Sequence, residues 1–171
     1  IMLSTSIQMF KHFYHLPARA QTGVTSSKIC DYQAGMETMQ SFLMSALSGV
    51  NLTSQTVSSL AGLLISSLEK TILDDELIGR VRWMMKGIYL DEDQWDLTEL
   101  LEAQPGQDFL IADNTLEHMH DYWQPTVSDW RTIEAWEADG CKDVEEAAHQ
   151  KVTEILAQAP ESLLDSEQEK A

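Results

Sequence analysis

The chain has 171 residues, of which 43% are hydrophobic, and this is enough for one domain with an apolar core. Its 28 acidic residues far outnumber its 11 Lys and Arg residues, so the formal net charge is -17 at pH 7. This charge has the wrong sign for phosphates or anionic lipids, so neither nucleic acid nor a membrane surface is expected as a partner.

The first predicted element is a helix at the very start of the chain. Its apolar positions are Met2, Leu3, Ile7, Met9, Phe10 and Phe13. No capping residue precedes this pattern, so we expect the chain to begin in the middle of an element. The following loop contains Pro17 and Gly23, and it has room for one short strand near Leu16 to Ala20 or Val24.

A second helix is predicted from Tyr32 onward. Its apolar positions at helical spacing are Met36, Met39, Phe42, Leu43, Ala46 and Leu47. Gly49 stands where a helix end needs a residue that tolerates a left-handed backbone, so we expect the helix to end there. Residues 50–52 are then predicted to form a brief buried strand.

The second half of the chain is predicted to be almost wholly helical. Residues 57–88 carry apolar side chains on a helical period and are expected to form one long helix or two consecutive helices. Acidic residues in the first turn predict a helix over residues 91–103. Two short helices are expected next, capped by Asn114 and Ser128, and the second of them is expected to end at Gly140.

The last predicted helix begins at a capping box. Asp143 stands three residues before Glu146, so each side chain can bind the backbone N–H of the other residue. Pro160 is expected to end this helix, and the acidic tail over residues 161–171 is expected to be frayed.

Cysteine and histidine positions give no support for a disulfide or a metal site. Cys30 and Cys141 are far apart and lack a C-x-x-C companion, so two free thiols in a reducing compartment, the cytoplasm, are expected. His118 and His120 lie two residues apart, and on a helix this spacing points them roughly 200° away from each other. We therefore expect no metal ion. Neither a secretory leader nor a bilayer-spanning segment is expected.

An aromatic cluster in the second half allows two interpretations. It consists of Tyr122, Trp123, Trp130 and Trp136 together with Pro125. Such rings can form a cage that binds a quaternary ammonium group by cation–π attraction. Alternatively, the cluster clamps a C-terminal helix against the body of the domain.

Polar residues at the entrance to the second helix are the first candidate site. Asp31, Gln33 and Glu37 lie where a loop leads into the helix, a common place for ligand-directed side chains in barrel enzymes. The alternative is that these side chains cap the helix and anchor the loop. Lys28 precedes them and either orients an anion or lies in water.

A second candidate lies inside the predicted helix over residues 57–88. Glu69 and Lys70 interrupt its apolar pattern as either a buried polar pair or an exposed strip. The sequence contains no Gly-rich phosphate loop, nucleophile elbow or zinc ribbon, so the catalytic residues remain unassigned.

Several segments in order carry a family resemblance. They are "LPARA…SSKICDYQAGMETMQSFLMSALSGVNL", "SSLEKTILDDELIGRVRWMMKGI", "PGQDFL", "NTLEHMHDYWQPTVSDW" and "EAWEADGCKD". Together they resemble the C-terminal third of the trimethylamine methyltransferase family, which includes trimethylamine and glycine betaine:corrinoid methyltransferases. The resemblance extends from about residue 7 to residue 156, and the ordered series is far more specific than any single motif.

The resemblance implies an α/β fold, in which this mostly helical chain is the C-terminal portion of a (β/α)8 TIM barrel with a helical extension. Residues 1–56 would be the last βα units of an incomplete barrel, residues 57–160 the C-terminal helices, and residues 161–171 the tail. The earlier strands would be missing, so a complete barrel would need another polypeptide or a second copy. Lys28, Asp31, Gln33 and Glu37, with Glu69, would line or shape the barrel mouth.

The resemblance also implies a function. Members of the family move a methyl group from trimethylamine, or from a quaternary amine such as glycine betaine, to the Co(I) of a separate corrinoid protein, as part of methanogenesis or one-carbon metabolism. The corrinoid cofactor would therefore be carried by the partner protein, and this chain would bind none itself. The alternative is a non-catalytic helical remnant that serves in oligomerisation or docking.

Three positions depart from the usual family pattern. Gln107 stands where a second glycine is common, Asn114 where a histidine is common, and Leu68 where a tyrosine is common. We therefore expect any ligand contacts near these three positions to differ from the usual ones of the family.

Overall fold

The computed structural model describes residues 1–88 and 97–158 of the chain. The first helix, α1, spans Met2–Gln8 and continues without a break into a wider π-helical turn over Met9–Phe13. The short strand β1 follows at Arg19–Gln21, within the region predicted for it. The predicted helix at the start of the chain is confirmed.

A parallel β-α-β unit occupies residues 19–54. The helix α2 spans Tyr32–Leu47 and connects β1 to the strand β2 at Leu52–Ser54. The two strands run parallel, with Arg19 opposite Leu52 and Gln21 opposite Ser54. The predicted strand at residues 50–52 therefore exists but begins two residues later than expected, and it is not buried, because Leu52 is exposed and the other two residues are half-buried.

The ends of α2 are set by local sequence. Asp31 caps the first turn, because its carboxylate accepts the N–H of Ala34 at 2.9 Å. At the other end Gly49 has a φ of 79° and donates its N–H to the carbonyl of Ala46 at 2.9 Å. The predicted end of this helix at Gly49 is confirmed.

Residues 57–67 are not helical, which contradicts the prediction of helix from residue 57. They form a small antiparallel hairpin of β3, Ser59–Leu60, and β4, Ile65–Ser66, around a 3-10 turn at Ala61–Leu63. The helix α3 begins only at Leu68, where the hydroxyl of Ser67 accepts the N–H of Lys70 at 3.0 Å.

The helix α3 spans Leu68–Lys86. The helices after residue 97 are short except for the last, so the prediction of an almost wholly helical second half is wrong for residues 97–158. They are α4 at Thr98–Glu102, α5 at Asp113–His118, α6 at Ile133–Ala138 and α7 at Val144–Gln158. The helix predicted over residues 91–103 lies partly outside the described residues, as do Pro160 and the tail over residues 161–171.

The capping box of α7 is confirmed, whereas the other two predicted caps are wrong. The Asp143 carboxylate accepts the N–H of Glu146 at 2.8 Å, and the Glu146 carboxylate accepts the N–H of Asp143 at 2.9 Å. Asn114 lies inside α5, because Glu99 of α4 accepts the N–H groups at the start of this helix. The cap of α6 is Thr132, and the predicted end of α6 at Gly140 is confirmed, with a φ of 90°.

Three helices pack around α3 and the strands. The last helix, α7, lies along α3 and buries Ala148 and Val152, while Val81 of α3 is buried as well. The helix α2 packs against α3 and α1. A small apolar cluster of Ile7, Ala18 and Ala20 fixes α1 against β1. Across residues 1–88 and 97–158, no helix is both long enough and apolar enough to span a membrane.

Candidate functional site at the carboxyl ends of the parallel strands

Because β1 and β2 are parallel, the loops that follow them meet at the same edge of the sheet. These loops cover residues 22–31 and 55–67. Two backbone N–H groups of the second loop donate to carbonyls of the first, Ala61 to Ser27 at 2.7 Å and Gly62 to Thr25 at 2.9 Å. In α/β proteins this edge is the usual place for a binding site.

Glu37 organises the first loop from the second turn of α2. Its carboxylate accepts the hydroxyl of Thr25 and the N–H of Ser26, both at 2.7 Å, and the side-chain amide of Gln33 at 2.9 Å. The Thr25 hydroxyl is the main reason that the pKa of Glu37 lies below its usual range. Glu37 is therefore a carboxylate at neutral pH.

Asp31 holds the other end of the same loop. Besides capping α2, its carboxylate accepts the hydroxyl of Ser27 at 2.8 Å. The N–H of Ala34, followed by the Ser27 hydroxyl, lowers the pKa of Asp31. Lys28 lies exposed between these anchors and donates to the carbonyl of Ser26 at 2.9 Å. The structure thus brings Lys28, Asp31, Gln33 and Glu37 together.

Glu69 lies in the first turn of α3, at the end of the second loop. It accepts the hydroxyl of Ser67 at 2.9 Å and is hydrogen bonded to Nδ1 of His149, on α7, at 2.9 Å. The hydrogen bond with His149 is the main cause that lowers the pKa of Glu69 to about 2. Glu69 therefore joins the second loop to the last helix.

Cys30 lies at the end of the first loop and is half-buried. Burial raises the pKa of its thiol, although a hydrogen bond with Ser67 works in the opposite direction. Cys30 is therefore a protonated thiol at neutral pH rather than an activated nucleophile. Cys141 is also free and lies exposed after α6.

The buried polar pair that the sequence suggested for Glu69 and Lys70 exists with a different partner. Lys70 forms an ion pair with Asp74 rather than with Glu69, and both side chains are only 3% exposed. Burial raises the pKa of Asp74, while its hydrogen bond from Lys70 lowers it. The spacing in the sequence indicates the correct partner, because a Lys and an Asp four residues apart lie on the same face of a helix.

Glu76 binds a segment of the second half of the chain. Its carboxylate accepts the backbone N–H of Thr126 at 2.7 Å, of Val127 at 2.6 Å and of Ser128 at 3.2 Å, and it also accepts the hydroxyls of Thr126 and Ser128. Burial raises the pKa of Glu76, but these donors outweigh it, and the pKa is lowered. The sequence predicted a helix cap at Ser128, whereas the residue serves this contact.

The aromatic cluster holds an internal cation. The guanidinium carbon of Arg80 lies 4.9 Å from the ring centre of Trp123 and 5.8 Å from that of Trp130. The two rings pack edge to face with 5.6 Å between their centres. Since Glu76 and Arg80 are four residues apart on α3, residues 123–130 clamp one face of this helix at two points. Arg80 takes the place of a ligand cation between Trp123 and Trp130, and these two rings fix their own segment to α3 rather than a C-terminal helix to the body of the domain.

A shallow hollow surrounds one position where the sequence departs from the family pattern. Asn114 lines a cavity of about 290 Å³ together with Trp83, His118, Asp121 and Tyr122. Nδ1 of His118 lies 2.7 Å from the carboxylate of Asp121, and this hydrogen bond raises the pKa of His118. Among the described residues, no group of three or more His, Cys, Asp or Glu side chains is arranged to hold a metal ion.

The chain contains a parallel β-α-β unit with polar loops beyond its strands, which is the building block of α/β proteins. Comparison with known sequences then gives the family. The sequence model of the trimethylamine methyltransferase (MTTB) family matches residues 2–171, so the chain belongs to this family. The resemblance predicted from the ordered segments is confirmed.

The relatives carry two kinds of name. The chain is 33% identical over 168 residues to a glycine betaine methyltransferase of Desulfitobacterium hafniense, and this alignment covers 98% of this chain and 35% of that protein. It is 29% identical over 155 residues to trimethylamine methyltransferases of Methanosarcina mazei and Methanosarcina thermophila. These alignments cover 91% of this chain, 31% of the Methanosarcina mazei protein and 32% of the Methanosarcina thermophila protein. The chain thus spans about a third of the length of these curated relatives.

Proposed function

We propose that the chain is the C-terminal portion of a (β/α)8 barrel methyltransferase. In this proposal the complete barrel transfers a methyl group from trimethylamine, or from a quaternary amine such as glycine betaine, to the Co(I) of a separate corrinoid protein. The observation that carries the proposal is membership of the trimethylamine methyltransferase family over residues 2–171. The relatives named for trimethylamine and glycine betaine support these two substrate classes.

The β-α-β unit supports the barrel. In the proposed fold, β1 and β2 are neighbouring barrel strands and α2 is the helix between them. The other strands come from a further polypeptide segment or from a second copy, because a two-stranded parallel sheet leaves open edges. The exposed apolar side chains of Phe13, Leu47 and Leu52 support an additional packing layer.

The loops at residues 22–31 and 55–67 have a defined role in the proposed reaction. An alkylated amine is a poor electrophile in water, so the enzyme must align the N-methyl group with its acceptor and exclude solvent. Glu37 and Asp31 fix the first loop in one conformation through hydrogen bonds from within that loop. In the proposal, these loops form part of the chamber wall, and Lys28 presents its ammonium group at the chamber mouth.

The corrinoid stays with its carrier protein in this proposal. The described residues of the chain serve to bind the amine and to dock that carrier, and the methyl group leaves on the carrier's cobalt. The two free thiols, Cys30 and Cys141, support a location in the cytoplasm.

A methyl-transfer assay tests the proposal. The chain, alone and mixed with a polypeptide that supplies the other barrel strands, is given a Co(I) corrinoid protein and either trimethylamine or glycine betaine. We expect a methylcobalt spectrum with the mixture and one of the two amines. A silent mixture beside an active full-length relative would refute the proposal.

A matched pair of variants tests the candidate residues in the same assay. Asp31→Ala removes the cap and the Ser27 contact, whereas Asp75→Ala changes an exposed aspartate of α3. We expect slower methyl transfer for Asp31→Ala only. Equal rates for both variants would exclude Asp31 from the site.

The second candidate function is a non-catalytic module for oligomerisation or docking. The exposed apolar side chains of Phe10, Phe13 and Tyr14 on one helical segment favour it, because such surface is normally covered by a partner. Sedimentation of the chain separates the two functions when combined with the assay. A stable oligomer that stays silent in methyl transfer would support the module.

A further inference from the structure

Two buried charges lie beneath the loops of the candidate site. Lys70 and Asp74, on the first two turns of α3, are both buried. Burial of two charges is expensive, and an apolar pair of similar size is often as stable or more stable. Stability alone therefore does not explain why this position holds an ion pair.

Each member of the pair has a second partner, and both partners lead to the loops. The ammonium group of Lys70 donates to the hydroxyl of Thr38, on α2, at 3.0 Å. That hydroxyl in turn donates to the carbonyl of Gly23, in the first loop, at 3.4 Å. The chain of contacts thus runs from α3 through α2 into the loop that follows β1.

Asp74 reaches the second loop directly. Its other carboxylate oxygen accepts the backbone N–H of Ser58 at 3.0 Å. Ser58 has a φ of 70°, which costs energy for a residue with a side chain, so an external contact is needed to hold it. The buried carboxylate provides that contact.

The two loops touch where the pair holds them. A Cβ on Gly23 would lie 1.9 Å from the carbonyl oxygen of Thr56, so the backbones are in close contact at this point. The N–H of Thr22 also donates to the carbonyl of Ser54 at 3.3 Å. A displacement of either loop therefore displaces the other.

We propose that Lys70 and Asp74 are positioning residues that hold the two strand-end loops, at residues 22–31 and 55–67, in fixed relation to each other. The pair acts through Thr38 and Ser58 and does not itself face a ligand. This inference goes beyond the proposed function, because it concerns the geometry of the loops whatever reaction they serve. It would fail or hold independently of methyl transfer.

Hydrogen exchange of the backbone amides in the 171-residue chain tests the inference. The variant Lys70→Met with Asp74→Leu replaces the charges by apolar groups of similar length. We expect its urea midpoint to stay near that of the wild type, while the amides of Gly23 and Ser58 exchange about tenfold faster or more. The control carries the same two changes at exposed positions of α3, Lys86→Met with Asp75→Leu, and leaves exchange in both loops unchanged.

A milder variant decides the matter if the double variant does not fold. Thr38→Val keeps the shape of the side chain but removes the hydroxyl that joins Lys70 to Gly23. We expect faster exchange at Gly23, because its N–H donates to the hydroxyl of Ser41 at 3.1 Å and this bond opens more often once the Gly23 carbonyl is released. Exchange at Ser58 should be unchanged, because Asp74 still holds the second loop. Wild-type exchange at Gly23 in Thr38→Val, or at both loops in a folded double variant, would overturn the inference.

Discussion

Replacing Glu76 by glutamine should loosen residues 123–130 from α3. The carboxylate accepts three backbone N–H groups and two hydroxyls, from Thr126, Val127 and Ser128. Hydrogen bonds to a charged group contribute about 1.5–3 kcal/mol each, against about 0.5–1.5 kcal/mol for neutral partners. Glutamine keeps the shape and one acceptor oxygen but loses the charge.

The expected cost follows from the division of the donors between the two oxygens. One carboxylate oxygen accepts all three N–H groups, and the glutamine carbonyl can take its place. The other oxygen accepts the Ser128 hydroxyl, which can rotate and accept from the amide instead. The charge is then lost together with a 3.3 Å contact from the Ser128 N–H to this second oxygen, so we expect Glu76→Gln to lower the free energy of unfolding by about 2 kcal/mol.

Urea denaturation followed by tryptophan fluorescence measures this cost, since Trp123 and Trp130 lie in the same segment. With a urea dependence of about 2 kcal/mol per molar, the midpoint should fall by about 1 M. Asp75→Asn, an exposed aspartate on the same helix, is the control and should shift it little. A midpoint for Glu76→Gln that matches the control would refute the clamp.

The pH dependence provides a second check of the same reasoning. The pKa of Glu76 is lowered in the folded chain, so its contribution is fully present above the unfolded pKa of about 4.3 and is lost as pH falls through the folded pKa. The difference between wild type and Glu76→Gln should therefore be largest near pH 7 and should shrink below about pH 4. A difference independent of pH would show that charge is not involved.

Three further predictions concern single side chains. Gly23→Ala should destabilise the chain by about 2 kcal/mol or more, because φ is 76° and the new Cβ would meet the Thr56 carbonyl at 1.9 Å. Gly35→Ala, in an open position on α2, should instead stabilise the chain by about 0.5–1 kcal/mol, and urea midpoints compare the two variants. Arg80→Lys should cost about 0.5–1 kcal/mol by loss of guanidinium stacking and should shift the tryptophan emission. Asp31→Ala should lower the midpoint of thermal unfolding, and Asp31→Asn should lower it much less, since asparagine also caps.

Local sequence was sufficient wherever a structural element depends on neighbouring residues. The helix α2 was predictable because its apolar spacing, its cap at Asp31 and its end at Gly49 all lie within one short segment. The start of α7 was predictable for the same reason, since Asp143 and Glu146 bind each other's backbone. The clustering of Lys28 with Asp31 and Glu37 was equally local, because ten residues include them all.

Distant contacts decided the elements that were mispredicted. The apolar positions of residues 57–67 fit a helical period, but the backbone of Ser58 is held by Asp74, sixteen residues away, and a hairpin forms instead. Ser128 resembles a helix cap, but its hydroxyl binds Glu76, 52 residues away. Glu69 is hydrogen bonded to His149, which lies 80 residues further along the chain, and no local pattern indicates this partner. Periodicity and capping rules do not encode such contacts.

The sequence left open whether Asp31 and Glu37 bind a ligand or anchor a loop, and the geometry bears directly on this choice. The hydrogen bonds of both carboxylates come from the loop and from the start of α2. A carboxylate engaged in this way is a poor base, because its donors stabilise the charged form. Anchoring is therefore the role that their contacts support, and any effect on a substrate passes through the loop that they shape. Lys28 differs, since within residues 1–88 and 97–158 its exposed ammonium group makes one hydrogen bond, with the carbonyl of Ser26, and retains further donors for an anion.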